Sequence, residues 1–276
     1  MPQRPFDLNA RKVLLTGAGS GIGRSLAVEL ARCGGQLFLV GRREQPLTET
    51  AALVTAYGGD AHVLTADLVA TGRAARVVAA AVDTLGGLDL LVNNAGNVRA
   101  GRLDEVDDAD VHAMVQLNLV SPILLTQAAL PHLRAAGQRR GAAILGISSG
   151  IALVGLPFYA VYAATKAGLA RFDEAMRREL IGTGVHVSTA YPGATDTPMM
   201  ASSDAGDDLG FGRRPADEVA AEIVTALAEG EALINTSSPD RRRMQELNVT
   251  DPWAVDAALT PKLAALEAAI RAHRSI

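Results

Sequence analysis

The segment KVLLTGAGSGIG, residues 12–23, decides the fold of this chain. Its first five residues form an apolar run typical of a buried strand, and the residues around Gly23 begin a helical pattern. Glycines at 17, 21 and 23 allow a tight turn and a close backbone approach, while a helix N-terminus offers free N–H groups to an anion. The strict Gly-x-Gly-x-x-Gly spacing is not met, because Ile22 stands at the last glycine position. The segment therefore predicts either a dinucleotide pyrophosphate site or a structural strand-to-helix turn.

Six further apolar runs follow this segment, separated by longer helical patterns. That alternation predicts βαβ units and a parallel sheet, and the nearly continuous apolarity of the runs indicates burial on both faces. We predict an α/β fold: a doubly wound, seven-stranded parallel sheet, Rossmann-like, with helices on both faces in a single domain. The predicted strands are 12–16, 36–40, 61–66, 88–92, 141–148, 184–191 and 231–235.

The predicted helices are 22–33, 46–57, 71–85, 104–137 with a break near Pro122, 160–183 and 216–229. Residues 200–215 mix Gly, Asp and Ser without periodicity, which predicts a mobile loop that would serve as a lid. We expect one domain over 1–276, with a core of about 10–235 and a C-terminal helical extension of about 236–276. The apolar face of the extension should pack on the core or on another subunit.

Composition excludes several classes of function. The net charge is −4 and the basic residues are scattered, which argues against a nucleic-acid partner. No uninterrupted apolar run reaches 18 residues and the N-terminus lacks a signal-peptide core, so we expect no membrane association and a cytoplasmic protein. No metal site is predicted, because none of the histidines at 62, 112, 132, 186 and 273 shows the short spacing that metal ligands favour.

The ends of the next strands add candidate cofactor ligands. Where an NAD-binding protein carries a ribose-binding carboxylate after the second strand, this chain has Gly41 followed by Arg42 and Arg43. A guanidinium binds a 2′-phosphate, so the sequence favours NADP over NAD, unless both arginines are solvated surface residues. Asp67, after the third strand, would accept a hydrogen bond from adenine or cap a helix.

A tyrosine and a lysine lie one turn apart on the helix predicted at 160–183. Tyr162 and Lys166 stand at i and i+4, so an ammonium can lie near a phenol. Carbonyl reduction needs a proton donor and alcohol oxidation needs a base, and a nearby cation lowers the pKa of a phenol. Tyr159 has Ala163 at its i+4 position and lacks this activation, so it is expected to pack at the mouth of the site.

With these residues in place, the chain resembles the short-chain dehydrogenase/reductase family in its short, single-domain form, from about residue 10 to 235. The family's TGxxxGxG matches 16–23, its NNAG matches 93–96 and its YxxxK matches 162–166. Its serine matches Ser149, its helix asparagine matches Asn118, and its Pro-Gly followed by a nicotinamide-contacting threonine matches Pro192, Gly193 and Thr197. Six motifs in order at compatible spacings make this a specific resemblance.

The resemblance implies the site residues. The catalytic set is Asn118, Ser149, Tyr162 and Lys166. The cofactor-binding set is Gly17, Ser20, Gly21, Ile22, Gly23, Arg42, Arg43, Asp67, Leu68, Asn94, Ala95, Gly96, Tyr162, Lys166, Pro192, Gly193, Thr195 and Thr197.

The resemblance also implies roles. Tyr162 would donate and accept the proton, Ser149 would bind the substrate oxygen, and Lys166 would bind the nicotinamide ribose while lowering the tyrosine pKa. Asn118 would hold a relay water. A turn role for Ser149 and a helix-kink role for Asn118 stay open, as does a tetramer beside a homodimer built on the 104–137 and 160–183 helices.

The substrate is the least determined feature. Seven apolar residues predict a pocket for a hydrophobic ketone, aldehyde or secondary alcohol, unless they only fill the core. These residues are Ala152, Leu153, Val154, Leu156, Phe158, Met199 and Met200. A hydride-transfer enzyme is the favoured class, and a nicotinamide-binding sensor without turnover and a lyase or epimerase of the same fold are the alternatives.

Overall fold

The computed structural model describes residues 5–275, and its centre is a parallel sheet whose strands follow the order β3-β2-β1-β4-β6-β7-β8. A short antiparallel pair, β5 and β9, lies outside that sheet. The strands are β1 (Lys12–Thr16), β2 (Gln36–Gly41), β3 (Asp60–Thr65), β4 (Leu90–Asn93), β5 (Val98–Arg99), β6 (Ala142–Ile147), β7 (Val185–Tyr191), β8 (Leu233–Asn235) and β9 (Arg274–Ser275). The predicted seven-stranded, doubly wound sheet is confirmed.

Helices cover both faces of the sheet. They are α1 (Gly21–Arg32), α2 (Glu44–Ala56), α3 (Arg73–Leu85), α4 (Asp108–Val115), α5 (Ser121–Arg140), α6 (Ala160–Glu179), α7 (Ala216–Glu229), α8 (Pro239–Thr250), α9 (Pro252–Leu259) and α10 (Leu263–Ile270). Buried residues of α1, α2 and α7 form one apolar cluster with one face of the sheet, and those of α3, α5 and α6 form another with the opposite face. The two apolar layers explain why the central strands are apolar at nearly every position.

The edge strand β3 departs from the predicted two-sided burial. Four of its six residues are exposed, including Val63. An edge strand has a neighbouring strand on one side only. The apolar residues of β3 were predicted to be buried because the sequence alone does not show that β3 lies at the edge of the sheet.

The predicted break in the long helix lies earlier than expected. A π-turn at Gln116–Val120 interrupts the helix and has Asn118 at its centre, whereas Pro122 stands in the first turn of α5, where proline is tolerated. By length and composition alone the whole stretch Asp108–Arg140 would suffice to cross a membrane. Its apolar side, however, packs on the sheet through the buried residues Leu125, Ala129 and Leu133, which accounts for its composition.

The segment at 200–215 is more ordered than an aperiodic loop. It contains two short 3₁₀ turns, at Met200–Ser202 and Asp207–Leu209, and it buries Ser203 and Ala205. The C-terminal extension is helical as predicted and contains α8, α9 and α10, followed by the strand β9. Leu266 and Ile270 of α10 pack in a third apolar cluster with Tyr159 and Phe211.

Candidate active site

One cleft of about 560 Å³ runs along the carboxyl edge of the sheet. Its volume lies in the range of small-molecule sites, and its place beside β1 and β4 is where open α/β sheets bind ligands. The structure brings all eighteen residues of the predicted cofactor set to the lining of this cleft, together with Ser149. Asn118 is completely buried behind the lining.

The glycine loop forms a cradle that leaves no room for side chains. Gly17 and Gly21 have φ values of +66° and +52°, a region that favours glycine. A Cβ at Gly23 would overlap the carbonyl group of Gly17, and a Cβ at Gly21 would lie 2.9 Å from Cγ2 of Thr197. The loop after β7 therefore closes against the glycine loop, and a pyrophosphate in the space would meet backbone N–H groups at the start of α1.

The end of β4 is fastened to this cradle by side chains. Asn94 Nδ2 donates to the carbonyls of Thr16 at 2.9 Å and Gly17 at 3.1 Å. The Thr16 hydroxyl accepts from the backbone N–H groups of Asn94 and Ala95, each at 3.1 Å, and donates to Val92. Thr16 begins the TGxxxGxG motif, yet sequence reasoning did not assign it this bridging role.

Arg42 and Arg43 line the end of the cleft that is predicted to hold adenosine. Both side chains are exposed, and neither forms an ion pair with another of the described residues, 5–275. The helix-cap alternative for Asp67 is wrong, because α3 starts later, with Gly72 at its N-cap. Asp67 instead accepts a local hydrogen bond from the N–H of Val69 at 3.2 Å, and its exposed carboxylate lines the cleft.

Tyr162 and Ser149 meet at the centre of the cleft. Tyr162 is in the first turn of α6, and Ser149 follows β6, where its hydroxyl accepts from the N–H of Ile151 at 3.4 Å. Burial raises the pKa of Tyr162 to about 12, and a hydrogen-bonding interaction with Ser149 opposes the shift. The predicted lowering of the Tyr162 pKa by Lys166 is not seen. The lysine Nζ lies 5.9 Å from the tyrosine ring centroid and donates to the carbonyl of Ile147 at 2.9 Å. Tyr162 is therefore a protonated phenol at neutral pH.

Lys166 and Asn118 lie against the same glycine. A Cβ at Gly96 would be 3.3 Å from Lys166 Nζ and 3.1 Å from Asn118 Oδ1. Burial lowers the pKa of Lys166 to about 8, so it still carries a proton at neutral pH. The Asn118 side chain pairs with the backbone of Asn97, accepting from its N–H at 2.8 Å and donating to its carbonyl at 2.9 Å. The π-turn thus directs Asn118 toward Lys166.

The substrate end is less apolar than predicted. Val154, Leu156, Met199 and Met200 line the cleft, but Ala152, Leu153 and Phe158 do not. The 3₁₀ turn at Gly150–Ala152 directs Ile151 inward in place of its neighbours, and Phe158 adopts an unusual φ of +69°. Further lining residues that sequence reasoning missed are Ile151, Phe211, Arg241, His273, Arg274 and Ser275.

A buried pair joins the C-terminal tail to α6. Tyr159, buried rather than at the cleft mouth, has its hydroxyl 2.7 Å from His273 Nδ1, and His273 Nε2 lies 3.2 Å from the carbonyl of Met199. Because a carbonyl only accepts, Nε2 carries the proton and Nδ1 accepts from the tyrosine. β9 then pairs with β5 directly after this histidine, so the tail forms one wall of the cleft.

This pair predicts an acid-dependent loss of stability. Burial lowers the pKa of His273, and the Arg213 guanidinium adds to the effect. The folded state favours neutral His273. The contribution of this residue to folding stability is therefore present above the unfolded-state pKa of about 6.5, and it is lost as the pH falls below that value. The loss is about 1.4 kcal/mol for each unit by which the pKa is lowered, up to the acid limit. We expect the free energy of unfolding to fall between pH 7 and pH 5.

Asparagine at position 273 provides the control, because its Oδ1 can accept from Tyr159 but does not titrate. Chemical denaturation of the wild type and of His273→Asn at several pH values measures the difference. Equal slopes of stability against pH in the two proteins would contradict the assignment of the acid-dependent loss to His273.

Fold and cleft together define an α/β protein of the Rossmann-like class with a glycine-lined nucleotide cradle and a tyrosine–lysine pair. The family model for short chain dehydrogenases matches residues 11–208. The chain belongs to the short-chain dehydrogenase/reductase family.

Two relatives and one solved structure illustrate the similarity. A short chain dehydrogenase from Pseudocercospora fijiensis is 34% identical over 201 residues, which cover 72% of this chain and 64% of that protein. A ketoacyl reductase from Nostoc sp. is 36% identical over 186 residues, covering 67% of this chain and 64% of the relative. The alignments thus span less than two thirds of these relatives. The crystal structure of a short chain dehydrogenase from Burkholderia cenocepacia in complex with NADP matches with a TM-score of 0.74 at 28% identity, covering 84% of this chain and 98% of that one.

Proposed function

We propose that this chain is an NADPH-preferring oxidoreductase that transfers a hydride between the nicotinamide and a carbonyl or secondary alcohol carbon, with Tyr162 as general acid and base. The observation that carries the proposal is that Tyr162 and the predicted cofactor-binding residues line one continuous cleft. It has the glycine cradle and Arg42 at one end and Tyr162, Ser149 and Lys166 at its centre.

The residues present fit a nicotinamide dinucleotide. Gly17, Gly21 and Gly23 leave a cradle that any side chain would fill, and the start of α1 suits a pyrophosphate. The exposed Arg42 and Arg43 suit a 2′-phosphate, and Gly41 stands at the end of β2, where a ribose-binding carboxylate would be expected. The NADP complex of the Burkholderia cenocepacia relative supports the same cofactor; NAD is the alternative.

When bound, the nicotinamide supplies or accepts the hydride. Tyr162, protonated at neutral pH, donates its proton to the substrate oxygen as the oxygen gains negative charge, and Ser149 donates a hydrogen bond to the same oxygen. Lys166 would bind the ribose hydroxyls of the cofactor with the N–H donors that the carbonyl of Ile147 leaves free. Asn118 fixes the backbone of Asn97 behind Lys166, where a relay water would connect the lysine to solvent.

The apolar part of the cleft favours a hydrophobic substrate. Ile151, Val154, Leu156, Met199 and Met200 face the space beyond Tyr162, and apolar walls with few polar groups are typical of small-molecule sites. The ketoacyl reductase from Nostoc sp. is named for a carbonyl substrate, in line with this proposal. A homodimer or homotetramer and a cytoplasmic location stay predictions.

Arg42→Ala tests the cofactor preference. We expect NADPH to bind roughly 10–100-fold more weakly to the variant, because charge-assisted hydrogen bonds to the 2′-phosphate contribute about 1.5–3 kcal/mol. The affinity for NADH, which lacks that phosphate, should stay within about twofold. Fluorescence titration of both cofactors measures the four dissociation constants.

Arg134→Ala serves as the control, because Arg134 is an exposed arginine of α5 that does not line the cleft. It should leave both affinities unchanged. A wild type that prefers NADH, or an Arg42→Ala variant that keeps its NADPH affinity, would show that Arg42 is only a surface residue.

A further inference from the structure

Three consecutive arginines begin α8, and the first of them differs from the other two in its surroundings. Arg242 forms an ion pair with Glu222 at 3.4 Å, and Arg243 pairs with Asp240. Arg241 lines the cleft and forms no ion pair with any carboxylate among residues 5–275. A cation without a counter-ion is thus placed at the substrate end of the cleft.

The protein uses little of the hydrogen-bonding capacity of Arg241. Nη2 donates to the carbonyl of Gly210 at 2.6 Å, and Nη1 lies 3.5 Å from the sulfur of Met244, a weak acceptor. A guanidinium has five N–H donors in a planar fork, so most of them are left for a ligand. The other cation at this end, Arg274, already pairs with Asp110 at 3.2 Å.

A row of aromatic rings connects Arg241 to the catalytic tyrosine. Its guanidinium carbon lies 5.3 Å from the Phe211 ring centroid, Phe211 lies 6.0 Å from Tyr159, and Tyr159 lies 6.5 Å from Tyr162. Because Tyr159 keeps its proton and donates a hydrogen bond to neutral His273, the row presents a neutral, mostly apolar surface. A ligand along it would meet the proton donor at one end, apolar walls in the middle and a positive charge at the other end.

We infer that the substrate carries a carboxylate that binds Arg241, so that the enzyme acts on an oxo-acid or hydroxy-acid whose reacting carbon and acid group are separated by an apolar chain. A carboxylate matches the guanidinium fork with two parallel hydrogen bonds. One unpaired cation matches a monoanion, and partial burial beside Phe211 reduces the screening of the pair by water. This inference deepens the proposed function and rests on it.

The turnover test uses straight-chain oxo-acids of six to twelve carbons and their methyl esters, with NADPH. The wild type should favour acids over esters in kcat/KM, and Arg241→Met should lower that acid-to-ester ratio roughly 10–100-fold, because the methionine keeps an apolar stem over Phe211 but has no charge. Arg241→Lys should keep part of the preference. Arg243→Met, on the same helix but outside the cleft, should leave the ratio unchanged.

A binding measurement gives a second readout without turnover. With NADPH present, calorimetric titration compares decanoate with decanamide, which share an apolar chain and differ in charge. The wild type and Arg243→Met should bind decanoate at least about tenfold more tightly, and Arg241→Met should bind the two alike.

The outcomes separate the inference from the proposed function. Turnover of ketones and esters with no acid preference in the wild type, or an acid-to-ester ratio unchanged in Arg241→Met, would overturn the inference and leave the oxidoreductase proposal in place. Equal losses of kcat/KM for acids and esters in Arg241→Met would also overturn the inference. Such a result would indicate that Arg241 only holds the segment at Gly210. A charge preference in binding without any carbonyl turnover would support the anion site and count against the proposed reaction.

Discussion

Tyr162→Phe should lower kcat by roughly 10²–10⁴-fold, the range that a positioned general acid contributes, while NADPH binding changes less than about twofold. The phenylalanine keeps the ring in place and removes only the hydroxyl, whose pKa burial raises to about 12 and which therefore carries the proton at neutral pH. Steady-state kinetics with a ketone that the wild type reduces measure the loss of kcat. A fluorescence titration measures NADPH binding separately.

Tyr159→Phe is the matched control for this change. Tyr159 lies one turn earlier in the chain, and its hydroxyl is engaged with His273. Loss of the Tyr159 hydroxyl should weaken the contact between α6 and the C-terminal tail at His273. We expect kcat to stay within about tenfold of the wild type. If Tyr162→Phe kept full turnover, another group would have to supply the proton, and the proposed mechanism would be wrong.

Gly23→Ala should abolish measurable binding of both NADPH and NADH. The added Cβ would overlap the carbonyl group of Gly17 and approach Asn94 Nδ2, so the cradle has to open for the side chain to fit. Backbone atoms of a loop held by Thr16 and Asn94 cannot move cheaply, and overpacking typically costs about 1–3 kcal/mol of stability as well. Titration of both cofactors and chemical denaturation measure the two losses.

Gly155→Ala is the control for the glycine substitution, because a Cβ at Gly155 meets no atom within 4 Å and its φ is not positive. Cofactor binding and stability should match the wild type. Normal NADPH affinity in Gly23→Ala would mean that the glycine loop does not form the pyrophosphate site.

The sheet and the cofactor end could be predicted from sequence because their signals are local. The glycines of the first loop, Asn94 and the arginines after β2 each stand directly at the end of a strand, and the carboxyl ends of parallel strands meet at one edge. Tyr162 and Lys166 share one helix, so their spacing alone places them together. These positions need no knowledge of distant contacts.

The substrate end could not be predicted in the same way because it is made of long-range contacts. His273 lies 114 residues from Tyr159 in the chain, and no periodicity indicates that the tail returns to the cleft. The sequence of the three arginines at 241–243 does not indicate which of them lines the cleft, because that depends on how α8 packs. The helix break was predicted near Pro122 because proline is the usual sign of a break, whereas Asn118, for which a helix-kink role was left open, stands at the centre of the π-turn.

Transfer of deuterium from NADPH that carries deuterium at both C4 positions of the reduced nicotinamide tests the central claim most directly. The purified protein is incubated with the labelled cofactor and a series of ketones and oxo-acids of six to twelve carbons, and the products are analysed by mass spectrometry. We predict an alcohol that carries one deuterium on the former carbonyl carbon, formed at least about 100-fold more slowly by Tyr162→Phe than by the wild type. Tight NADPH binding without deuterium transfer to any of these compounds would contradict the account and favour a nicotinamide-binding sensor.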